Sequence, residues 1–383
     1  MKTRAAVLYG VGERWSVEEI ELDPPGPGEV MVKTAFAGLC HSDEHLVTGD
    51  MVPPQELIDM LPRKTMFPII GGHEGSGVVV EVGAGVTKVE VGDHVSCSFV
   101  PACGVCPPCA EGRQNLCDLG ARTFGSGMIT DGTYRTHTTD GTELGKLAQL
   151  GTFAEYMTLA QESVIKVEKD IPLEVVCLVS CGVATGYGSA VNRADVRPGD
   201  TVVVVGCGGI GMNAVQGAAA AGASNVVAVD PVEFKRETAM TFGATHTATS
   251  MAEAVSLVND ITWGRMAHSV ILTPGVLTGD MVQPAMDLTA KGGTVVATAV
   301  APMDQQEVAL DLARLTLSQK ELRGTIFGSA SPNVRIPELL MMYRHGKLKL
   351  DELITRRYTL DEINQGYDDM NAGINIRGII EFN

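Results

Sequence analysis

Aromatic residues are scarce in this chain, 5% of 383, and 29 lysines and arginines face 46 aspartates and glutamates. The shortage of basic charge leaves a formal net charge of −17 and no dense Lys or Arg run, so a nucleic-acid partner is excluded: neutralising phosphates takes a basic surface. A long apolar run is also missing, and no membrane span or membrane partner is expected. The start, MKTRAAVLYGVGERW, is basic, but its apolar part breaks at Glu13 and Arg14; it does not read as a secretory signal, and a cytoplasmic location is the expectation. Repeats and low-complexity segments are absent. What is present is a 45% hydrophobic composition in a chain long enough for two domains.

To about residue 180 the chain is rich in Gly, Pro, Val and Thr, with short apolar runs such as 30–32 and 78–82, which read as strands of a barrel-like β domain. From Gly199 the texture changes to strand-like runs alternating with helical ones, the pattern of a parallel sheet covered on both faces. Strands are expected at 201–205, 226–229, 245–248, 269–272, 293–299 and 322–327, with helices at 210–221 and 233–242. The tail from about 329 has too few elements to fold alone and is expected to pack back onto the first domain.

Two groups of residues carry chemistry. Cys103, Cys106, Cys109 and Cys117 have the spacing that lets thiolates of one small loop converge on a tetrahedral ion and close it off from substrate; two disulfides are the competing account. Cys40, His73 and Cys181 would supply three ligands and leave a fourth position for water or substrate. Cys97, Cys177 and Cys207 fit neither group and read as buried thiols.

The run 201–205 leads into Gly206-Cys207-Gly208-Gly209-Ile210-Gly211, a helical stretch follows, and Asp230 falls 19 positions after Gly211. That context marks a dinucleotide loop: Gly206 allows the tight turn, Gly208 admits the pyrophosphate, Gly211 brings helix and strand together, and the helix N-terminus attracts the phosphates. Asp230 would accept hydrogen bonds from the adenosine ribose and repel a 2′-phosphate, favouring NAD over NADP, with Lys235 in reach of the same ribose.

With Cys40-His41-Ser42-Asp43-Glu44-His45, Gly71-Gly72-His73-Glu74, the four-cysteine lobe, Ser180-Cys181-Gly182 with Thr185-Gly186-Tyr187, and the glycine loop in this order, the sequence resembles the zinc-dependent medium-chain alcohol dehydrogenases over essentially its whole length. The resemblance implies an α/β fold: a GroES-like β-barrel catalytic domain (1–182), a Rossmann dinucleotide-binding domain (183–326), and a C-terminal segment completing the first (327–383). It implies two zinc ions per chain, a catalytic one on Cys40, His73 and Cys181 and a structural one on Cys103, Cys106, Cys109 and Cys117. Asp43 would hold the imidazole of His73, and Glu74 would lie near the metal, its alternative being a charge satisfied by a nearby arginine. Ser42 and His45 would relay the proton, histidine being the side chain that exchanges protons near neutrality. His41, Thr185, Gly206, Gly208, Gly209, Ile210, Gly211, Asp230, Lys235 and Arg377 would contact the cofactor, and Phe99 and Phe153 would wall an apolar substrate pocket.

The implied activity is reversible hydride transfer between NAD and a primary or secondary alcohol, giving aldehyde or ketone. Two rival readings are an S-(hydroxymethyl)glutathione dehydrogenase of the same family and a non-catalytic zinc- and nucleotide-binding structural protein. The 32 residues between Cys40 and His73 include a surplus at 51–62 that either lids the pocket or packs on a partner subunit. The segment 120–150, with Asp131-Gly132-Thr133-Tyr134-Arg135, resembles the long loop of the dimeric branch and implies a homodimer. The chain further resembles actinobacterial members, some of which retain NAD; this implies an external redox acceptor, mycofactocin among the candidates, that reoxidises bound NADH in place.

Overall fold

The computed structural model describes residues 1–60, 63–122 and 127–382. Positions 61 and 62 of the surplus segment and 123–126 of the long loop lie outside the described residues. The chain divides into two compact units, Met1–Cys181 with Ser331–Asn383, and Gly182–Ala330, where the sequence places seams after 182 and 326. The turn Phe327–Ser329 stays with the second unit because it packs against the helix Gly182–Gly188, where a Cβ on Gly188 would fall 2.3 Å from the Gly328 carbonyl.

The first unit holds two sheets. One orders β7 (Thr136–Thr138), β2 (Ser16–Leu22), β1 (Lys2–Leu8), β4 (Ile69–Ile70) and β8 (Gly145–Lys146) side by side. The other orders β10 (Val164–Val167), β6 (His94–Cys97), β5 (Gly75–Val82), β3 (Glu29–Gly38), β18 (Arg377–Glu381) and β17 (Ile354–Tyr358), with β9 (Tyr156–Ala160) also on β3. Strand β18 runs antiparallel to β3, so the C-terminal segment is built into a sheet of the first unit. Val30 and Val32 of β3 and Val79 of β5 turn inward on Val95, Leu150 and Leu159, while Ala6, Leu8, Leu39, Leu46 and Phe153 form a second core beneath the helix His41–Thr48.

The second unit is a six-stranded, all-parallel sheet in the order β13 (His246–Ala248), β12 (Asn225–Val229), β11 (Thr201–Val205), β14 (Ala267–Leu272), β15 (Thr289–Ala297) and β16 (Glu321–Gly324). The central strand, Thr-Val-Val-Val-Val, is buried on both faces, which suits an unbroken β-branched run. Strand β16 ends three residues before its expected limit of 327, because Phe327, Gly328 and Ser329 all take positive φ and turn the chain out of the sheet. The strand order reverses between β11 and β14, where an open α/β sheet presents its ligand crevice at the carboxyl ends of the strands.

Candidate metal centres and dinucleotide loop

The lobe around Cys103 is a loop with one four-residue helix, Pro107–Ala110. Its four sulfurs lie within 4.8 Å of one another, with Cys103–Cys109 at 3.8 Å and Cys106–Cys117 at 3.9 Å. Those separations exclude disulfides, which need about 2.05 Å, and match the edge of a tetrahedron with metal–sulfur bonds of about 2.3 Å, roughly 3.8 Å. All nine cysteines are free. Backbone N–H groups of Val105 and Cys106 point at the Cys103 sulfur at 3.5 and 3.4 Å and, against burial, hold that thiol down to about 7. Burial pushes Cys109 up to about 12 and raises Cys117 as well. Four thiols this close ionise together only around a cation, so the donor set fits zinc.

The second cluster joins Cys40, His73, Glu74 and Cys181, each buried, with ligand atoms within 4.8 Å of one another. Cys40 is the extended residue before the helix His41–Thr48, His73 and Glu74 follow the left-handed Gly72 ahead of β5, and Cys181 comes just after the helix Leu173–Val179. Asp43, fully buried, accepts the Gly72 N–H at 2.7 Å with one oxygen and places the other 3.1 Å from His73 Nδ1. The second ring nitrogen, Nε2, is buried with no hydrogen-bond partner among the described residues, which is what a metal-facing imidazole requires. Cys40 is held well below the thiol range, first by its hydrogen bond to Cys181 and then, against burial, by His73 and Arg377. Cys181 is pushed well above it by that hydrogen bond and by burial. Burial opposes charge on His73, but Asp43 and Cys40 hold it well above its ordinary range. Two sulfurs and an imidazole that share charge in this way fit a borderline-soft cation, with the Glu74 carboxylate beside them.

Glu74 and Arg377 form a buried ion pair across β5 and β18. Burial drives the Glu74 carboxyl up to about 8 with Arg377 opposing, while Arg377 is raised despite burial by Glu74 and the thiols beside it. Sequence reasoning places Arg377 on a cofactor phosphate and only weighs an unnamed arginine for Glu74; the structure supplies that arginine. Ser42 Oγ lies 3.8 Å from the Cys40 sulfur. His45, which reads from sequence as the outer end of a relay, is instead 3% exposed, with Nδ1 3.2 Å from Asp50 Oδ2. Sequence reasoning missed Asp50, whose carboxyl is held down mainly by the Thr48 hydroxyl. His41 is half-buried, its ring 6.4 Å from that of His45. Phe99 stands edge-on to His73 at 5.8 Å. Phe153, expected at a pocket wall, is a fully buried core ring edge-on to Trp15, and that expectation is corrected.

In the second unit, β11 runs into the glycine loop and the helix Gly209–Ala220. Gly206 takes φ +90°, and a Cβ there would meet the Thr273 carbonyl at 2.5 Å; a Cβ on Gly211 would fall 1.9 Å from the Gly206 carbonyl. A Cβ on Gly208 meets nothing within 4 Å, so this face of the loop is open to a ligand. Gly208 caps the helix without a side chain, leaving the N–H groups of Gly209, Ile210 and Gly211 in the first turn for an anion. Asp230 accepts the N–H groups of Cys207 and Val232 at 2.8 and 2.9 Å, which fixes both carboxylate oxygens. Lys235 is half-buried, while Arg236, unnoticed in the sequence, donates to the carbonyls of Asp230 and Pro231 at 2.8 Å each. Thr185, on the helix Gly182–Gly188, has a buried hydroxyl with no partner among the described residues.

Comparison with known proteins matches residues 26–169 to the alcohol dehydrogenase GroES-like domain and residues 209–342 to the zinc-binding dehydrogenase domain. An NDMA-dependent alcohol dehydrogenase of Amycolatopsis methanolica is 52% identical over 99% of both chains. Alcohol dehydrogenase B of Mycobacterium tuberculosis is 49% identical over 100% of this chain and 99% of its own. The crystal structure of benzyl alcohol dehydrogenase from Acinetobacter calcoaceticus superposes with a TM-score of 0.88 at 30% identity, covering 100% of both chains.

Proposed function

The chain belongs to the zinc-dependent medium-chain alcohol dehydrogenases, and from that membership we propose that it oxidises a primary or secondary alcohol with NAD as hydride acceptor, using one catalytic and one structural zinc per chain. The observation that carries this reading is the convergence of Cys40, His73 and Cys181 on one buried point while four other cysteines fill a separate tetrahedron. A zinc ion held by the first group supplies Lewis acidity toward an alcohol oxygen. The protein residues do the rest. Asp43 sets the His73 tautomer from Nδ1. The Glu74–Arg377 pair balances charge beside the donors. Phe99 presents an aromatic edge that favours apolar substrates and keeps water off His73. Ser42 and His45 carry the proton outward, and Asp50, at 3.2 Å from His45, takes the outer place in that relay.

The glycine loop holds the dinucleotide pyrophosphate against the helix N-terminus, and Asp230 selects a ribose over its 2′-phosphate. Retention of NAD with reoxidation by an external acceptor is supported by the relative named for its dependence on NDMA. A homodimer is supported by the outer edge of β16, unpaired among the described residues and flanked by exposed Leu317, Leu322 and Ile326. Nine free thiols suit a reducing, cytoplasmic compartment. The test is metal analysis together with the absorbance of reduced nicotinamide in the presence of ethanol, benzyl alcohol and a long-chain alcohol, with and without an added acceptor. About two zinc ions per chain and alcohol-dependent reduction are expected; a metal-free chain, or one inert to every alcohol, overturns the reading.

A further inference from the structure

Behind Asp43, the first unit buries polar atoms that its own fold leaves without partners. Tyr367, on the helix Ile363–Asn371, is 4% exposed, and its hydroxyl has no hydrogen-bond partner among the described residues; the same is true of Nε1 of Trp15, also 4% exposed. The two rings are stacked, with centroids 6.1 Å apart and planes inclined by 28°. This arrangement is held from both sides. The Asn364 side-chain oxygen accepts the Trp15 backbone N–H at 3.1 Å and its amide nitrogen donates to the Trp15 carbonyl at 2.9 Å, and Arg14 pairs with Asp368 at 2.8 Å. Phe153 stands against both rings and also against Gly71 and Gly72, the residues that lead to His73.

The same helix reaches the Asp43 neighbourhood: Asn371, one turn beyond Tyr367, donates to Glu44 at 2.6 Å. Burial holds the Tyr367 phenol well above its ordinary range, and Asp43 is the charge that bears on it most, ahead of Cys40, Glu44 and Glu74. The phenol is therefore a permanent hydrogen-bond donor. Asp43 itself is fully buried, and its Oδ2 faces His73 with no aligned hydrogen bond among the described residues. Two buried donors without partners among the described residues, carried by one stacked pair of rings, are groups of the kind that hold a structural water, which needs two to four such partners.

We propose that Tyr367 is a positioning residue for the donor cluster: one buried water, gripped by the Trp15 indole N–H and the Tyr367 hydroxyl, passes a hydrogen bond to the Asp43 carboxylate that orients His73. Its consequence for metal retention rests on the reading of Cys40, His73 and Cys181 as ligands, whereas the hydrogen bonding does not. Outer partners of a ligating histidine govern how firmly its metal is kept.

The test uses the full-length protein with Tyr367→Phe, Trp15→Phe and the double variant, each read by thermal midpoint and by the rate at which a chelator removes zinc. Tyr367→Phe keeps the ring and is expected to lower the midpoint and to speed release from one of the two zinc classes by about tenfold, leaving the other class unchanged. Trp15→Phe should act in the same direction, and the double variant should be no worse than the worse single one, because both remove the same water. A Tyr367→Phe protein with an equal or higher midpoint and unchanged release, the behaviour of a hydroxyl that has no partner, overturns the proposal; additive losses overturn the shared water. Should the wild type release zinc from a single class, the reading of the Cys40 cluster fails, and the midpoints alone still decide the hydrogen bonding.

Discussion

Lys146 is a cation placed where a cation is costly. It ends β8 fully enclosed, with Nζ donating to the Thr158 carbonyl at 2.5 Å and resting 3.1 Å from the Met128 sulfur. Burial lowers its pKa from 10.5 to about 8, against the pull of buried Glu29, whose carboxylate is already taken by Arg135 at 2.9 Å. Below pH 8 the amine is charged in folded and unfolded chains alike and the penalty is fully felt. Between pH 8 and 10.5 the unfolded chain binds the extra proton, so stability rises with pH, and above 10.5 the penalty is gone. A shift of this size corresponds to about 3 kcal/mol, less about 1 kcal/mol for the hydrogen bond to Thr158. Lys146→Met is therefore expected to be more stable than the wild type by about 2 kcal/mol at pH 7 and to lose that advantage by pH 10.5. Urea midpoints of both proteins at each pH check this; because Tyr9, Tyr343 and Tyr358, each raised to about 12, titrate in both, the difference isolates Lys146. A difference that does not change with pH would show that Lys146 is not buried as a strained cation.

Among the elements, the glycine loop separates packing from binding within six residues. Gly211→Ala would drive a methyl group into the Gly206 carbonyl, 1.9 Å from the ideal Cβ, so it should cost about 1–3 kcal/mol of stability whether or not a ligand is present. Gly208→Ala meets open space at a φ of −82°, so it should leave the thermal midpoint unchanged and weaken NAD binding at least tenfold, about 1.4 kcal/mol, as measured by titration calorimetry. Unchanged NAD affinity in Gly208→Ala would remove the pyrophosphate from that face. This loop was legible because all its signals are local: a β-branched strand, glycines, a helix and an acidic residue in one stretch. The four-cysteine lobe stood out for the same reason, although only the 3.8 and 3.9 Å sulfur separations rule out disulfides. What sequence reasoning missed has no local signature. Glu74 and Arg377 are 303 positions apart, and nothing near either announces the other. Asp50 lies five residues from His45 yet carries no motif, and the burial of His45 depends on packing that no short pattern records. Strands β4 and β8, two residues each, are too short for alternation to show; their partners define them.

At the scale of the whole molecule, the two clusters should contribute to opposite quantities. The helix His41–Thr48 behind Cys40 rests on a core of Leu39, Leu46, Ile69 and Phe153, so the fold around the catalytic candidates stands without a metal. The lobe at 103–117 has no such support: its one helix is four residues long, Val105 is 85% exposed, and its inward groups are chiefly the sulfurs themselves. There a cation takes the place of a core, and ligand binding becomes folding energy. Cys103→Ala is accordingly expected to lose one zinc per chain and at least about 3 kcal/mol of stability, read from urea midpoints. Cys40→Ala should also lose one zinc, abolish alcohol oxidation, and shift the midpoint by less than about 1 kcal/mol, since a small buried side chain is replaced by one of similar size. A chelator strong enough to strip both sites should then destabilise the wild type to the level of Cys103→Ala and leave Cys103→Ala itself almost unmoved. An equal fall in both single variants would mean that the Cys40 cluster, too, is a folding site, and the division between a clamp and a reactive centre would not hold.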